Sequence, residues 1–195
     1  MPKIDRRIKK TRQALKEAYI HLIETYSEEE ITVSMIAQHA DLNRTTFYAH
    51  YSNKEEFLEE AVDELLEEFR KAILEPFQID TNINVQSQAP TTVQIFDYIE
   101  KNKRAFYALY LGHAQFKTRL QELFYSIFSE DILIELETMH GEINYDMFLH
   151  YQSNATLGLI FYWIQGDFKY TKEFMMEQLT ILSNTQVVEL KKIRF

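Results

Sequence analysis

The sequence predicts an all-α protein, and three observations carry that expectation. Apolar residues recur at three- and four-residue intervals in almost every segment, and no segment alternates as a half-buried strand does. The few glycines and prolines act as punctuation: apart from Pro2 and Gly158 they fall at Pro76, Pro90, Gly112, Gly141 and Gly166, between stretches of helical period. No internal repeat is present.

The first helix is expected from about Asp5 to Tyr26, with Ile8, Leu15, Ala18, Tyr19, Leu22, Ile23 and Tyr26 on one face. Thr32 is a natural N-cap for a short helix, Val33 to Ala40, whose Val33, Ile36, Ala37 and Ala40 share a side. Asp41, Leu42 and Asn43 make a turn, and Asn43 caps a second short helix from Arg44 to His50. Ser52 or Asn53 caps a long helix from Lys54 to about Glu75, with Glu55 or Glu56 at capping-box distance. Its inward residues are Phe57, Leu58, Ala61, Val62, Leu65, Leu66, Phe69 and Ile73. Its outer face is densely acidic and reads as a solvated surface. Gln78 to Thr92 has one charge and no helical pattern, so it reads as a loop. Helices follow from about Thr91 to Lys101, from Arg104 to Leu111, and from about Ala114 to Met139 with an interruption near Ser129 to Asp131. The last pair spans Tyr145 to Ile164 and Thr171 to Ile193.

A chain of 195 residues, 46% hydrophobic and 14% aromatic, is ample for a packed core. It has no cysteine, so disulfides and thiolate metal sites are excluded and a reducing cytoplasm is the expected setting. The basic start does not read as a secretory signal, and the longest apolar run, Leu157 to Ile164, is too short to span a bilayer. The net charge of -9 disfavours a polyanion partner until its distribution is considered. Residues 1 to 54 hold nine basic against seven acidic side chains, whereas the rest hold twelve against twenty-three. Lys3, Arg6, Arg7, Lys9, Lys10, Arg12 and Lys16 are opposed in the first sixteen residues only by Asp5. Screening over about 8 to 10 Å hides the distant acidic body, so the basic end can orient the molecule on a polyanion. That end is either an arm for the minor groove or a solvated charged terminus.

The two short helices therefore read as a helix-turn-helix. The buried side of the second needs only Phe47 and Tyr51, which leaves Arg44, Thr45, Thr46, Tyr48, Ala49 and His50 outward for a major groove. Arg44 is suited to guanine, Thr45 and Thr46 to a phosphate or thymine methyl, and Tyr48, His50 and Lys54 to the phosphate backbone. Thr32, Ser34 and Asn43, at the helix starts, complete the expected DNA-binding set.

The run IAQHADLNRTTFYAHYSNKEEFL resembles the DNA-binding signature of the TetR/AcrR family of bacterial transcriptional regulators. It departs from the pattern at Asp41, where the family usually has glycine, and at Asn43, where serine is usual. FDYIEKNKRAFYALY and GLIFYWIQGDF are similar to a C-terminal region found in a subset of such proteins. The resemblance implies a DNA-reading domain over 1–54 and a helical effector and dimerisation domain over 55–195. It implies a homodimer on a double-stranded DNA operator, most simply a repressor released by a small apolar or aromatic effector.

Two features of the second half bear on that expectation. ATLGLIFYWI is apolar almost all round, so one side needs a partner. Tyr151, Ala155, Gly158, Tyr162, Met175, Leu179, Leu182 and Gln186 are the expected dimer interface, with two hairpins forming a four-helix bundle. Tyr98, Phe106, Tyr107, Tyr110, Phe116, Phe124 and Tyr125 offer either a packed core, the usual reading of such a stripe, or a ligand pocket with hydroxyl handles, which the resemblance brings level with it. An alternative is a DNA-binding adaptor whose body recruits a protein. Nothing points to an enzyme, a metal or a cofactor: there is no Gly-rich phosphate loop, nucleophile elbow or HExxH, and the histidines are scattered.

Overall fold

Two aromatic clusters organise the chain, and one helix belongs to both. The computed structural model describes residues 3–78, 90–134 and 142–183, and every regular element among them is helical. A head is built from α1 (Lys3–Ile23), α2 (Val33–His39), α3 (Arg44–Tyr48) and the start of α4 (Lys54–Leu74). Phe57 of α4 is its hub, packing against Phe47 at 5.5 Å, Tyr51 at 5.1 Å and Tyr19 at 5.9 Å between ring centroids. Leu15, Leu22, Ile31 and Ile36 close the cluster. The head thus takes in the first turns of α4, and a boundary at residue 54 would cut through its core.

The body comprises α5 (Pro90–Lys101), α6 (Lys103–Gly112), α7 (Phe116–Ser126), α8 (Tyr145–Gln165) and α9 (Lys172–Ser183). Here Phe69, three turns further along α4, is the hub, against Tyr98 at 5.2 Å, Phe106 at 5.5 Å and Phe124 at 5.8 Å. Phe96 of α5 and Trp163 of α8 extend the core toward α9, which contributes Met175, Met176 and Leu179. Ion pairs fasten the helices outside it: Lys172 to Asp97 at 2.7 Å, Arg70 to Asp131 at 2.5 Å, and Arg119 to Asp63.

The elements start and stop for local reasons. Thr32, Asn43, Asn53 and Asn144 are N-caps whose side chains accept from the N–H three residues on, as expected for the first two, and Asn53 is the cap among the two candidates Ser52 and Asn53. Pro90 opens α5, where its missing N–H costs nothing. α7 passes into one π-helical turn, Ile127–Asp131, which ends the expected 114–139 helix at the foreseen interruption. There Arg70 reaches both Ser126 Oγ and Asp131. α1 stops at Ile23, and Ile8 and Tyr26, placed inward by periodicity, are exposed because they stand at the two ends of the apolar stripe. Most of the expected loop, the far end of the 114–139 segment and the chain beyond Ser183 lie outside the described residues.

Gly112 marks where head and body touch. A Cβ there would stand 2.3 Å from Ile23 Cγ1 and 2.7 Å from its Cδ1, so only glycine lets the end of α6 approach the end of α1. Gly112→Ala is expected to destabilise the fold by about 1 to 3 kcal/mol through overpacking. In a denaturation cycle, combining it with Ile23→Ala should cost less than the two single changes together.

Candidate nucleic-acid interface

The turn between α2 and α3 is set by hydrogen bonds that the sequence makes available. Ala40 N–H donates to Ile36 O at 3.0 Å and Leu42 N–H to Ala37 O at 2.8 Å, closing the end of α2. Asp41 takes φ 54°, the left-handed conformation in which short polar residues are tolerated. Leu42 packs on the core, and Asn43 Oδ1 then accepts from Thr46 N–H at 2.8 Å and from Thr46 Oγ1 at 3.1 Å. α3 is short by its regular pattern, but Ala49 and Tyr51 still donate to carbonyls four residues back.

With Phe47 fully buried beneath it, α3 turns Arg44, Thr45, Tyr48 and Ala49 outward, and Thr46 and His50 are half-buried beside them. The Arg44 guanidinium lies 6.0 Å from the Tyr48 ring, at the limit of a cation–π contact. Thr32 and Asn43 are exposed and Ser34 is half-buried, so all of the expected set but Lys54 lies in or beside the two short helices. Thr46, whose hydroxyl donates to the cap, retains only its acceptor side for DNA. Along α1, Arg6, Arg7, Lys9 and Lys10 are exposed on regular helix, so the basic end is an extension of the helix and not an unstructured arm.

Lys54 has different partners from those its position in sequence implies. Its Nζ donates to Glu28 O at 2.8 Å and Ile31 O at 3.0 Å, satisfying two of its three N–H groups inside the head. It ties the start of α4 to the loop that precedes α2. Two further basic residues are also committed internally. Arg12 donates to both Glu60 oxygens at 3.1 and 3.2 Å and sits over the Tyr51 ring, and Lys16 pairs with Glu60 and Glu64. Tyr51 donates to the same Glu60 at 2.8 Å. Burial, followed by that hydrogen bond, pushes the Tyr51 hydroxyl well above the usual phenol value, so it remains a donor. Glu60 therefore joins α1, the end of the recognition segment and α4. Nothing local in the sequence distinguishes it from the acidic residues around it.

In the body, the expected pocket residues are spread between the core and the helix seams. Phe106, Phe116 and Phe124 are fully buried core, and Tyr110 is nearly so. Tyr107 packs against the core, and Tyr98 donates to Leu65 O at 3.1 Å. Tyr125 faces the α7–α8 seam, where it donates to Asp146 at 2.5 Å and stacks on His150. Phe106 packs edge-on against Phe116 at 5.7 Å, and Phe69 of α4 packs against Tyr98, Phe106 and Phe124. A cleft of about 440 Å³ lies between α4 and α7, lined by Asp63, Leu66, Glu67, Arg70, Arg119, Glu122, Leu123 and Ser126. Among the described residues no group of three or more His, Asp or Glu could hold a metal, and no helix is long and apolar enough to cross a membrane.

The expected dimer surface divides in two. Tyr151, Ala155, Gly158 and Tyr162 form one exposed stripe along α8, with Tyr151 at 72% and Tyr162 at 52% exposure, and Leu182 is exposed on α9. Met175 and Leu179 are buried in the chain's own core, because α9 turns that side toward α5 and α8. Gln186 lies outside the described residues.

Comparison with known proteins agrees with this geometry. Residues 20–61 match the model described as "Bacterial regulatory proteins, tetR family", and residues 86–185 match "Transcriptional regulator C-terminal region". The uncharacterized HTH-type transcriptional regulator YxbF of Bacillus subtilis (strain 168) is 23% identical over 154 residues, covering 78% of this chain. The chain spans 39% of that relative's length. A TetR transcriptional regulator from Streptococcus agalactiae 2603V superposes with a TM-score of 0.63 at 22% identity, over 91% of this chain and 96% of that one. A putative TetR-family regulator from Syntrophomonas wolfei str. Goettingen gives 0.64 at 18% identity, over 90% and 94%. With both halves matched and the capped, outward-facing α3 in place, the chain belongs to the TetR family of DNA-binding transcriptional regulators.

Proposed function

We propose that the protein works in the cytoplasm as a homodimeric repressor that reads a pseudo-palindromic operator, one α3 per half-site. The observation that carries the reading is the exposed face of α3, with Arg44, Thr45, Tyr48 and Ala49 held on a buried Phe47. A short helix with a forked donor at its start and a small residue further along fits a major groove. The apolar stripe on α8 supports the dimer, since Tyr151 and Tyr162 are costly to leave in water and recur at the spacing of a helix–helix contact. Repression follows from occlusion of the duplex that such a dimer covers.

Release by a small molecule is the second part of the proposal, and the cleft between α4 and α7 supports it. A ligand there would compete with the Arg119–Asp63 pair and shift α4, whose first turns belong to the reading head. A coupling of about 1 to 3 kcal/mol between the sites is the usual scale.

Selection of bound sequences from a random duplex pool should return an inverted repeat, whereas recovery of no motif would overturn the DNA-reading assignment. On the selected operator, Arg44→Ala should cost about 1 to 3 kcal/mol and relax preference at one base pair. Lys54→Ala should lower thermal stability by about 1 to 3 kcal/mol, from two lost charge-assisted bonds, while leaving the salt slope of DNA binding unchanged. In sedimentation the chain is expected to run as a dimer, and Tyr151→Glu with Gly158→Glu as a monomer with intact helical content.

A further inference from the structure

The histidines are scattered along the sequence, yet the fold brings two of them together. His21 stands in the last turn of α1 and His39 in the last turn of α2, and their rings meet with centroids 4.5 Å apart and planes at 60°. Both residues are exposed, and among the described residues neither ring nitrogen has a hydrogen-bond partner. Other histidines are engaged differently: His113 accepts the Gln115 N–H at 3.3 Å, His150 lies flat on Tyr125, and His50 packs beside Tyr51.

The spacing of the pair is that of two ligands on one ion. A divalent transition metal holds an imidazole nitrogen at about 2.0 to 2.1 Å, with the ring centre about 1.2 Å behind it, so neighbouring ligands in square or tetrahedral geometry place their ring centres about 4.5 to 5.4 Å apart. The observed separation stands at the lower end of that range. Leu22 beside His21 and Ile36 one turn before His39 are buried in the head's core, so the two helices are held at this spacing before any ion arrives.

We propose that His21 and His39 form a two-imidazole site for a divalent transition-metal ion of the Zn²⁺ or Ni²⁺ type, which staples the end of α2 to the end of α1. Imidazole selects this class over Mg²⁺ and Ca²⁺, which take oxygen ligands. Water completes the coordination, because no third His, Asp or Glu among the described residues joins the pair. Glu24, three residues beyond His21, has both carboxylate oxygens on Arg104 across the seam between head and body. The staple acts on the joint that leads to the reading helix, since α2 ends in the Asp41 turn and α3 follows it.

The test is calorimetric titration of Zn²⁺ into the full chain without an affinity tag, repeated with Ni²⁺ and Mg²⁺ and with His21→Gln, His39→Gln and His150→Gln. Zn²⁺ and Ni²⁺ should bind at one ion per chain, and Mg²⁺ should not bind. An ion held by two ligands loses affinity when either is removed, so His21→Gln and His39→Gln should each weaken binding by at least about tenfold, and the double variant should lose little more. His150→Gln should bind like the wild type. With free Zn²⁺ a hundredfold above its Kd, the thermal midpoint should rise by about 5 to 10 °C, and the rise should vanish in both head variants. Wild-type affinity in either head variant overturns the proposal and marks two rings that only pack, and equal binding of Mg²⁺ overturns it as well. NMR of the wild type gives a reading that needs no substitution: the imidazole resonances of His21 and His39 should shift together up to one equivalent of Zn²⁺, whereas shifts at other histidines in their place overturn the site.

Discussion

The constraint on which the structure depends is that α4 is shared. Phe57 is the centre of the head's aromatic cluster and Phe69 that of the body's, and twelve residues of unbroken helix join them, a distance of about 18 Å. Neither cluster can be repacked without moving the same rod. α6 supplies a second connection, where Gly112 meets Ile23 and Arg104 grips Glu24. Two separate attachments make the head's orientation a property of the body, which is the mechanical condition for a regulator whose two ends communicate.

Charge is used in two ways in this acidic chain. Glu24 binds Arg104 across the seam, whereas Glu60 and Glu64 bind within the head and in doing so consume cations that the sequence offers to DNA. Arg12 and Lys16 are occupied in this way, Lys54 is held by main-chain carbonyls, and Arg6, Arg7, Lys9, Lys10 and Arg44 remain exposed. The head's attraction for a polyanion therefore resides at the start of α1 and at the start of α3.

What could be read from the sequence was what is encoded locally. Thr32 and Asn43 cap the helices they precede, Asp41 adopts the left-handed turn in glycine's place, and the apolar stripe of α8 leaves Tyr151 and Tyr162 in solvent. Each of these follows from neighbours within a few turns of helix. Pairings across the chain left no such trace: Arg12 and Glu60 are 48 residues apart, Arg104 and Glu24 80 apart, and Lys54 reaches back 26 residues to Glu28. The aromatic set meets a related limit. Periodicity reports that Phe106, Phe116 and Phe124 face inward, but whether inward means cavity or core is decided by Phe69, which arrives from another helix. Met175 and Leu179 were misplaced in the same way, since a helix apolar on several sides does not say which side meets its own chain.

The membership of Phe57 in the head has a practical meaning for anyone recombining such regulators. A chimera joined at Lys54 would supply Phe47, Tyr51 and Tyr19 with a foreign ring, and Arg12 with whatever side chain its donor carries in place of Glu60. Grafts that carry the first three turns of α4 along with the preceding helices keep the unit intact, so the transferable module is longer than the motif that recognises DNA.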